Sequence, residues 1–170
     1  MPHARKKIER GQATFFLSAS RMETRPLKSS DFSEVEEVFK QSFPRISIKD
    51  LHTSWAYRSK KNTIGLFIGD SLIGFMIASI HKSSGNSLYV DYVAITEEYR
   101  GSGIGTDMIL QLVTECYDNN GSIHLFPERE DIVPWYERNG FRKTHGGYYV
   151  FHSYSTRLQH ENHIKLGLTF

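Results

Sequence analysis

Two rhythms of apolar and polar residues run along this chain. A period near two marks strands over 63–68, 72–80, 88–95, 122–126, 141–145 and 148–154, with a first short strand over 22–27. Residues 88–95, Leu-Tyr-Val-Asp-Tyr-Val-Ala-Ile, are apolar on both faces apart from Asp91, the pattern of a central buried strand. Gly69-Asp70-Ser71 reads as a hairpin turn and Gly74 as a bulge or twist within the strand that follows. A period near 3.6 marks helices. Asp31 with Glu34 makes a capping-box-like start for the stripe Val35, Val38, Phe39 and Phe43, which Pro44 ends. Ile48, Leu51 and Trp55 suggest a second helix starting near Ser47 or Asp50. Met108, Ile109, Leu112, Val113, Cys116 and Tyr117 form one long stripe. A short fourth helix is capped by Asp131, tolerates Pro134 in its first turn and stops at Gly140. The central strand, the long helix and the strand over 122–126 make a right-handed crossover, so that strand pair is parallel and the fold is mixed α/β.

Between the central strand and the long helix lies Tyr99-Arg100-Gly101-Ser102-Gly103-Ile104-Gly105-Thr106. Glycines lack Cβ, so a ligand can approach the main chain closely, and the helix start offers unpaired N–H groups at the positive end of its dipole. That is an anion site, suited to a pyrophosphate. A Walker A loop is excluded because no lysine follows the glycines. A dinucleotide fingerprint fits in part, as Gly101-x-Gly103-x-x-Thr106 with Glu128 past the next strand, but Thr106 stands where a third glycine or alanine belongs.

Arg100-Gly101-Ser102-Gly103-Ile104-Gly105, after a Val-x-Val-like strand, resembles the acetyl-CoA loop of the GNAT superfamily of N-acetyltransferases. Trp135-Tyr136-Glu137-Arg138-Asn139-Gly140-Phe141 resembles the late Phe/Leu-Tyr-Glu-x-x-Gly-Phe element of the same family. The resemblance covers roughly residues 22–154. It implies a twisted, mostly antiparallel central sheet with one parallel central pair and flanking helices. It further implies acetyl-CoA as co-substrate and a primary amine, on a small molecule or a protein, as acceptor. Cofactor contacts then fall on the main chain of Val93 and Ile95 and on Arg100, Gly101, Ser102, Gly103, Ile104, Gly105 and Thr106. The helix pair over 31–56 would wall the acceptor site, making Phe43, Arg45 and Ile46 substrate-side candidates or ordinary loop and packing residues. Glu130 and Val133 stand where the family often carries Asn and Ala against the cofactor arm.

Direct transfer from a thioester needs a base for the amine and a donor for the departing sulfur. Asp91 is the one charged residue of the central strand; desolvation would raise its pKa toward a useful value, and a structural carboxylate at a bulge is the alternative. Tyr136 matches the family tyrosine beside the sulfur, yet with Gly140 at C′ it also falls where a Schellman cap makes its apolar contact with Phe141. A non-catalytic acyl-CoA-binding or interaction domain and a dinucleotide-dependent oxidoreductase remain as alternatives.

At 170 residues the chain suits one domain, read as 22–156, with a basic leader over 1–21 and an unassigned tail over 157–170. The leader holds five basic residues (Arg5, Lys6, Lys7, Arg10, Arg21) against Glu9, out of a net charge of +2 for the whole chain. The remainder is therefore mildly acidic, which suits a cationic amine. The leader reads as a flexible extension, with Met22 as an alternative start and organelle targeting as the other reading. Nucleic acid is not the expected partner. No apolar run approaches the ~20 residues of a membrane span, so a cytoplasmic protein is expected. Cys116, the single cysteine, has no internal partner and lies on the apolar stripe. His160-x-x-His163 has helical ligand spacing without further ligands, and no metal is expected.

Overall fold

The computed structural model describes residues 22–80, 87–118 and 121–153, and no side chain of residues 115–120. The leader, the polar loop over 81–86, the tail with its two histidines, and the side chains of Cys116 and Tyr117 lie outside the described residues.

A seven-stranded sheet organises the chain in the order β1-β2-β3-β4-β5-β7-β6. Its strands are β1 (Met22–Pro26), β2 (Ile64–Ile68), β3 (Ser71–Ile80), β4 (Ser87–Ile95), β5 (Ser122–Leu125), β6 (Arg142–Lys143) and β7 (Tyr149–His152). Every adjacent pair is antiparallel except β4 and β5, which run parallel. Helices α1 (Phe32–Ser42) and α2 (Ile48–Tyr57) cover one face; α3 (Ile104–Asp118) and α4 (Val133–Arg138) cover the other.

β3 is buried on both sides, with Phe75, Met76, Ile77 and Ala78 fully enclosed in succession. Phe75 and Ile77 join Val35, Val38, Phe39 and Leu51 of the α1/α2 core, while Met76 joins Met108, Ile109 and Leu112 of α3. Each such side chain contributes about 1.5–3 kcal/mol when removed from water. The two cores therefore clamp the sheet from both sides.

Two irregularities shape the sheet. Leu66 pairs with Gly74 but Phe67 with Leu72, leaving Ile73 as an extra residue in β3. Gly74 is glycine there because a Cβ would fall 2.5 Å from Ile95 Cδ1 and 3.0 Å from the Ala94 carbonyl. Ile77 pairs with Tyr92 but Ala78 with Val90, so Asp91 is the extra residue of β4. A bulge resets the alternation of side chains. Leu88 and Val90 pack toward α3, Tyr92 and Ala94 toward α1, and Val93 and Ile95 again toward α3.

Several local expectations are corrected. The Asp31–Glu34 capping box does not form. Asp31 instead accepts the Lys28 N–H at 2.7 Å and pairs with Arg25 at 2.8 and 3.1 Å, while Glu34 reaches across to the Leu72 N–H at 3.0 Å. Ser47 is the cap of α2, accepting from the Lys49 N–H at 3.2 Å. Asp131 does not cap α4; it lies within a 3₁₀ turn, Glu130–Ile132, and its carboxylate is held by Arg129. The strand expected over 141–145 shrinks to β6 because the Phe141 N–H is taken by the Tyr136 carbonyl and the Gly147 N–H closes a turn on the Thr144 carbonyl.

Arg25 holds the Asp31 carboxyl below the usual carboxylate range, mainly through their hydrogen bonds. The depressed pKa means this pair stabilises the fold at neutral pH and loses its contribution as pH falls through the carboxylate range. Asp31→Ala should lower stability by about 1–3 kcal/mol at neutral pH, since the Lys28 N–H and Arg25 both lose their acceptor. Thermal denaturation at pH 7 and at pH 3 should show the difference between wild type and variant shrinking at the acid end.

Candidate active site

β4 pairs with β3 as far as Ile95 but with β5 only through Ser87–Ser122 to Val90–Leu125. Beyond that point the two strands diverge. The Thr96 N–H donates to the Ile73 carbonyl of β3 at 2.9 Å, so by strand alternation the N–H and C=O of Ile95 and Val93 face the gap. The opening is lined by a cavity of 560 Å³, within the range of small-molecule sites.

Val93, Ile95, Arg100, Gly101, Gly103, Ile104, Gly105, Thr106 and Tyr136 all line this one cavity. Gly101 and Gly103 adopt φ of +76° and +87°, which L side chains rarely accept, and this lets the chain turn sharply from β4 into α3. Gly105 is different. Its backbone is ordinary, and a Cβ there would meet nothing closer than Ile95 Cγ1 at 4.0 Å. The protein's own packing does not demand glycine at 105, whereas a ligand lying against the main chain does. The helical ladder begins with the Asp107 N–H donating to the Gly103 carbonyl at 3.1 Å. The N–H groups of residues 104–106 thus stand at the open end of a 15-residue helix, suited to phosphate oxygens.

Two loop residues are turned to internal work. Ser102 donates its hydroxyl to the Tyr99 carbonyl at 2.6 Å and does not line the cavity. Arg100 donates through Nε to the Ile95 carbonyl at 2.8 Å and through Nη2 to Ser42 Oγ at 3.3 Å, tying the loop to β4 and to the end of α1.

Tyr136 takes the Schellman-cap position and also lies at the cavity. The Phe141 N–H bonds to its carbonyl at 3.2 Å and the Gly140 N–H to that of Glu137 at 3.1 Å, the two bonds of a Schellman cap, with Gly140 at φ +92°. Its ring meets Phe141 edge-on at 5.6 Å, and it also borders the cavity. Burial pushes its hydroxyl up to about 12, so it stays protonated across the ordinary pH range.

Asp91 does not line the cavity. Burial raises its carboxyl to about 6, opposed by a hydrogen bond with Ser79. Burial raises the Tyr89 and Tyr92 hydroxyls of the same strand, and the Asp91 charge adds to the rise. Tyr92 packs edge-on against Phe39 at 5.0 Å and lies 5.3 Å from Phe43, on the α1 side of the sheet. Phe43 and Ile46 belong to that apolar cluster and Arg45 is exposed beside them; none of the three lines the cavity. Tyr89 is hydrogen-bonded to Tyr148, which leans on the exposed Phe126 at 5.6 Å. His124 is half-buried, with its Nε2 2.9 Å from Ser122 Oγ.

Sequence reasoning missed Tyr99, Ile109, Arg129, Asp131, Ile132 and Trp135 as cavity residues. Ile109 sits one turn beyond Gly105 and could have been found by helical spacing. Arg129 and Asp131 carried no signal, because their place depends on how α4 returns to the sheet.

The chain belongs to the acetyltransferase (GNAT) family, whose model matches residues 27–141. Membership supports acetyl transfer to an amine as the general activity. Solved structures share the fold. A GNAT-family acetyltransferase from Staphylococcus aureus Mu50 has a TM-score of 0.65 at 16% identity, covering 78% of this chain and 99% of that one. The N-acetyltransferase YhbS of Escherichia coli, in complex with CoA, has a TM-score of 0.63 at 15% identity, covering 79% and 83%. A Brucella melitensis family member, in complex with acetyl-CoA, has a TM-score of 0.62 at 14% identity, covering 78% and 88%. A comparison of the sequence with curated proteins finds no match. Among the described residues, no helix is long and apolar enough to cross a membrane.

Because a Cβ at Gly105 would meet nothing closer than Ile95 Cγ1 at 4.0 Å, Gly105→Leu should leave the melting temperature unchanged or raise stability by up to about 1 kcal/mol, as a helix former replaces glycine. The same change should weaken CoA binding at least about tenfold, measured by calorimetric titration, by filling the space that a ligand would use. A destabilised variant with wild-type affinity would contradict this account of Gly105.

Proposed function

We propose that this protein transfers an acetyl group from acetyl-CoA to a primary amine by direct attack, without an acyl-enzyme. The observation that carries this reading is the unpaired edge of β4 beside a cavity that ends on the glycine loop. Acetyl-CoA, when bound, supplies an acetyl group activated as a thioester. In this reading the N–H groups of residues 101–106 receive its pyrophosphate, and the main chain of Val93 and Ile95 pairs with the amide-bearing arm. Thr106 adds a hydroxyl. Arg100, whose guanidinium is engaged by Ile95 and Ser42, holds the shape of the loop rather than a phosphate.

The acceptor enters from the α1/α2 side, where Phe43, Arg45, Ile46 and the tyrosines around Asp91 form its surroundings. Asp91, with a pKa of about 6, is ionised at neutral pH and takes a proton from the incoming ammonium directly or through water. The amine nitrogen then bonds to the acetyl carbon, the C–S bond breaks, and the nitrogen sheds its remaining proton to solvent. Sulfur leaves against the Tyr136 hydroxyl. A phenol near 12 is a weaker acid than a thiol near 8.5, so Tyr136 stabilises the thiolate chiefly by donating a hydrogen bond, with solvent supplying the final proton.

Calorimetric titration should give micromolar-range binding of acetyl-CoA to the wild type and none to a folded Gly103→Trp variant. No binding by the wild type would sink the reading, and binding without transfer to any member of a broad amine panel would indicate a binding module instead. With an active amine, kcat/KM should rise with pH through a limb near 6 that Asp91→Asn removes, with a rate loss of about 100-fold. Tyr136→Phe should lower kcat about 10- to 100-fold with little change in acetyl-CoA affinity.

A further inference from the structure

The cavity holds one polar contact between helices that neither the glycine loop nor the catalytic pair uses. Trp135 Nε1 of α4 donates to Thr106 Oγ1 of α3 at 2.8 Å, and both residues line the cavity. An indole N–H is a donor only, whereas a threonine hydroxyl has one hydrogen and two lone pairs. The contact therefore occupies a lone pair and leaves the Thr106 hydrogen to be placed elsewhere.

Helical threonines commonly place that hydrogen on the carbonyl four residues back. Thr53 and Thr114 do so, donating to Lys49 and Leu110 at 3.0 and 2.9 Å. Thr106 does not. It stands in the first turn of α3, where the residue four back, Ser102, lies outside the helix. Among the described residues its hydrogen has no acceptor, and it sits beside the open N–H groups of residues 104–106.

We propose that Trp135 is a positioning residue that fixes the Thr106 hydroxyl as a donor to a pyrophosphate oxygen. The inference rests on the acetyl-CoA reading above and extends it to a residue of α4. The indole bond fills one of the two acceptor positions and restricts the rotation of the hydroxyl, and it polarises the group so that its hydrogen bonds more strongly to an anion. Trp135 also ties α4 to the start of α3, and the Schellman cap that holds Tyr136 closes the same short helix. One indole thus links the first turn of α3 to the short helix that carries Tyr136.

The test is a double-mutant cycle read as the Kd for CoA by calorimetry, with thermal denaturation of each variant alongside. Trp135→Phe and Thr106→Val should each weaken binding about tenfold, the size expected for a hydrogen bond to a charged group. The double variant should be no weaker than Thr106→Val alone, because Trp135 acts through that hydroxyl. Thr106→Ser, which keeps the hydroxyl, should bind within about threefold of wild type.

Additive losses, or a serine variant as weak as the valine one, would overturn the proposal while leaving CoA binding by the wild type intact. A wild type that does not bind CoA would overturn the acetyl-CoA reading and this inference together. Should Trp135→Phe lose its fold, the indole itself supplies the readout. The chain has two tryptophans, and Trp55 packs on the opposite face of the sheet, so Trp55→Phe leaves Trp135 as the sole reporter. In that background CoA should change the indole emission, and adding Thr106→Val should abolish the change; an unaltered response would again overturn the proposal.

Discussion

The parting of β4 from β5 beyond Val90 and Leu125 is the constraint on which the rest of this molecule depends. A sheet strand ordinarily satisfies its main chain on both sides, and leaving one side open costs free energy unless something else pairs with it. Here the cost is confined to a few residues. β3 holds the other side of β4 through Ile95, and Phe75, Met76 and Ile77 anchor β3 in the two cores. On the β5 side, Pro127 lacks an N–H and follows the strand closely, so the ladder has little to continue with.

Around that opening the molecule divides its work by face. The α3/α4 face presents main-chain donors, glycines and a protonated phenol, a set suited to an anion and a leaving sulfur. The α1/α2 face presents a raised carboxyl among tyrosines, a set suited to an amine. The Arg100 guanidinium bridges the two by holding Ile95 and Ser42 at once. Tyr136 occupies two settings at once: its backbone caps α4 while its side chain borders the cavity.

Much of this is legible in the sequence. Strands β2 to β5 and the long helix carry strong local periodicity, and the glycine loop is punctuated by residues whose backbone needs are visible in their identity. What escaped depends on competing partners for polar groups near in sequence, or on contacts between distant segments. Asp31 looked like a helix cap because Asp followed by Glu three residues later is a local signature, yet Arg25 and the Lys28 N–H claimed its carboxylate first. Asp131 was claimed likewise by Arg129. Phe141 was read as a strand residue, but the helix cap had a prior use for its N–H. Trp135 sat inside a recognised motif, and nothing local announced that its indole would meet Thr106, 29 residues earlier.

The bulge in β4 gives length, as distinct from identity, a meaning of its own. Asp91 is the residue by which β4 exceeds its partner. Replacing it alters one side chain. Deleting it would rejoin Val90 directly to Tyr92 in a regular pleat and leave every later residue of the strand on the face it already occupies. Val93 and Ile95 would still face α3, and Tyr92 and Ala94 would still face α1. Among descendants of this gene, position 91 is therefore a place where β4 can lose a residue without turning the rest of the strand over.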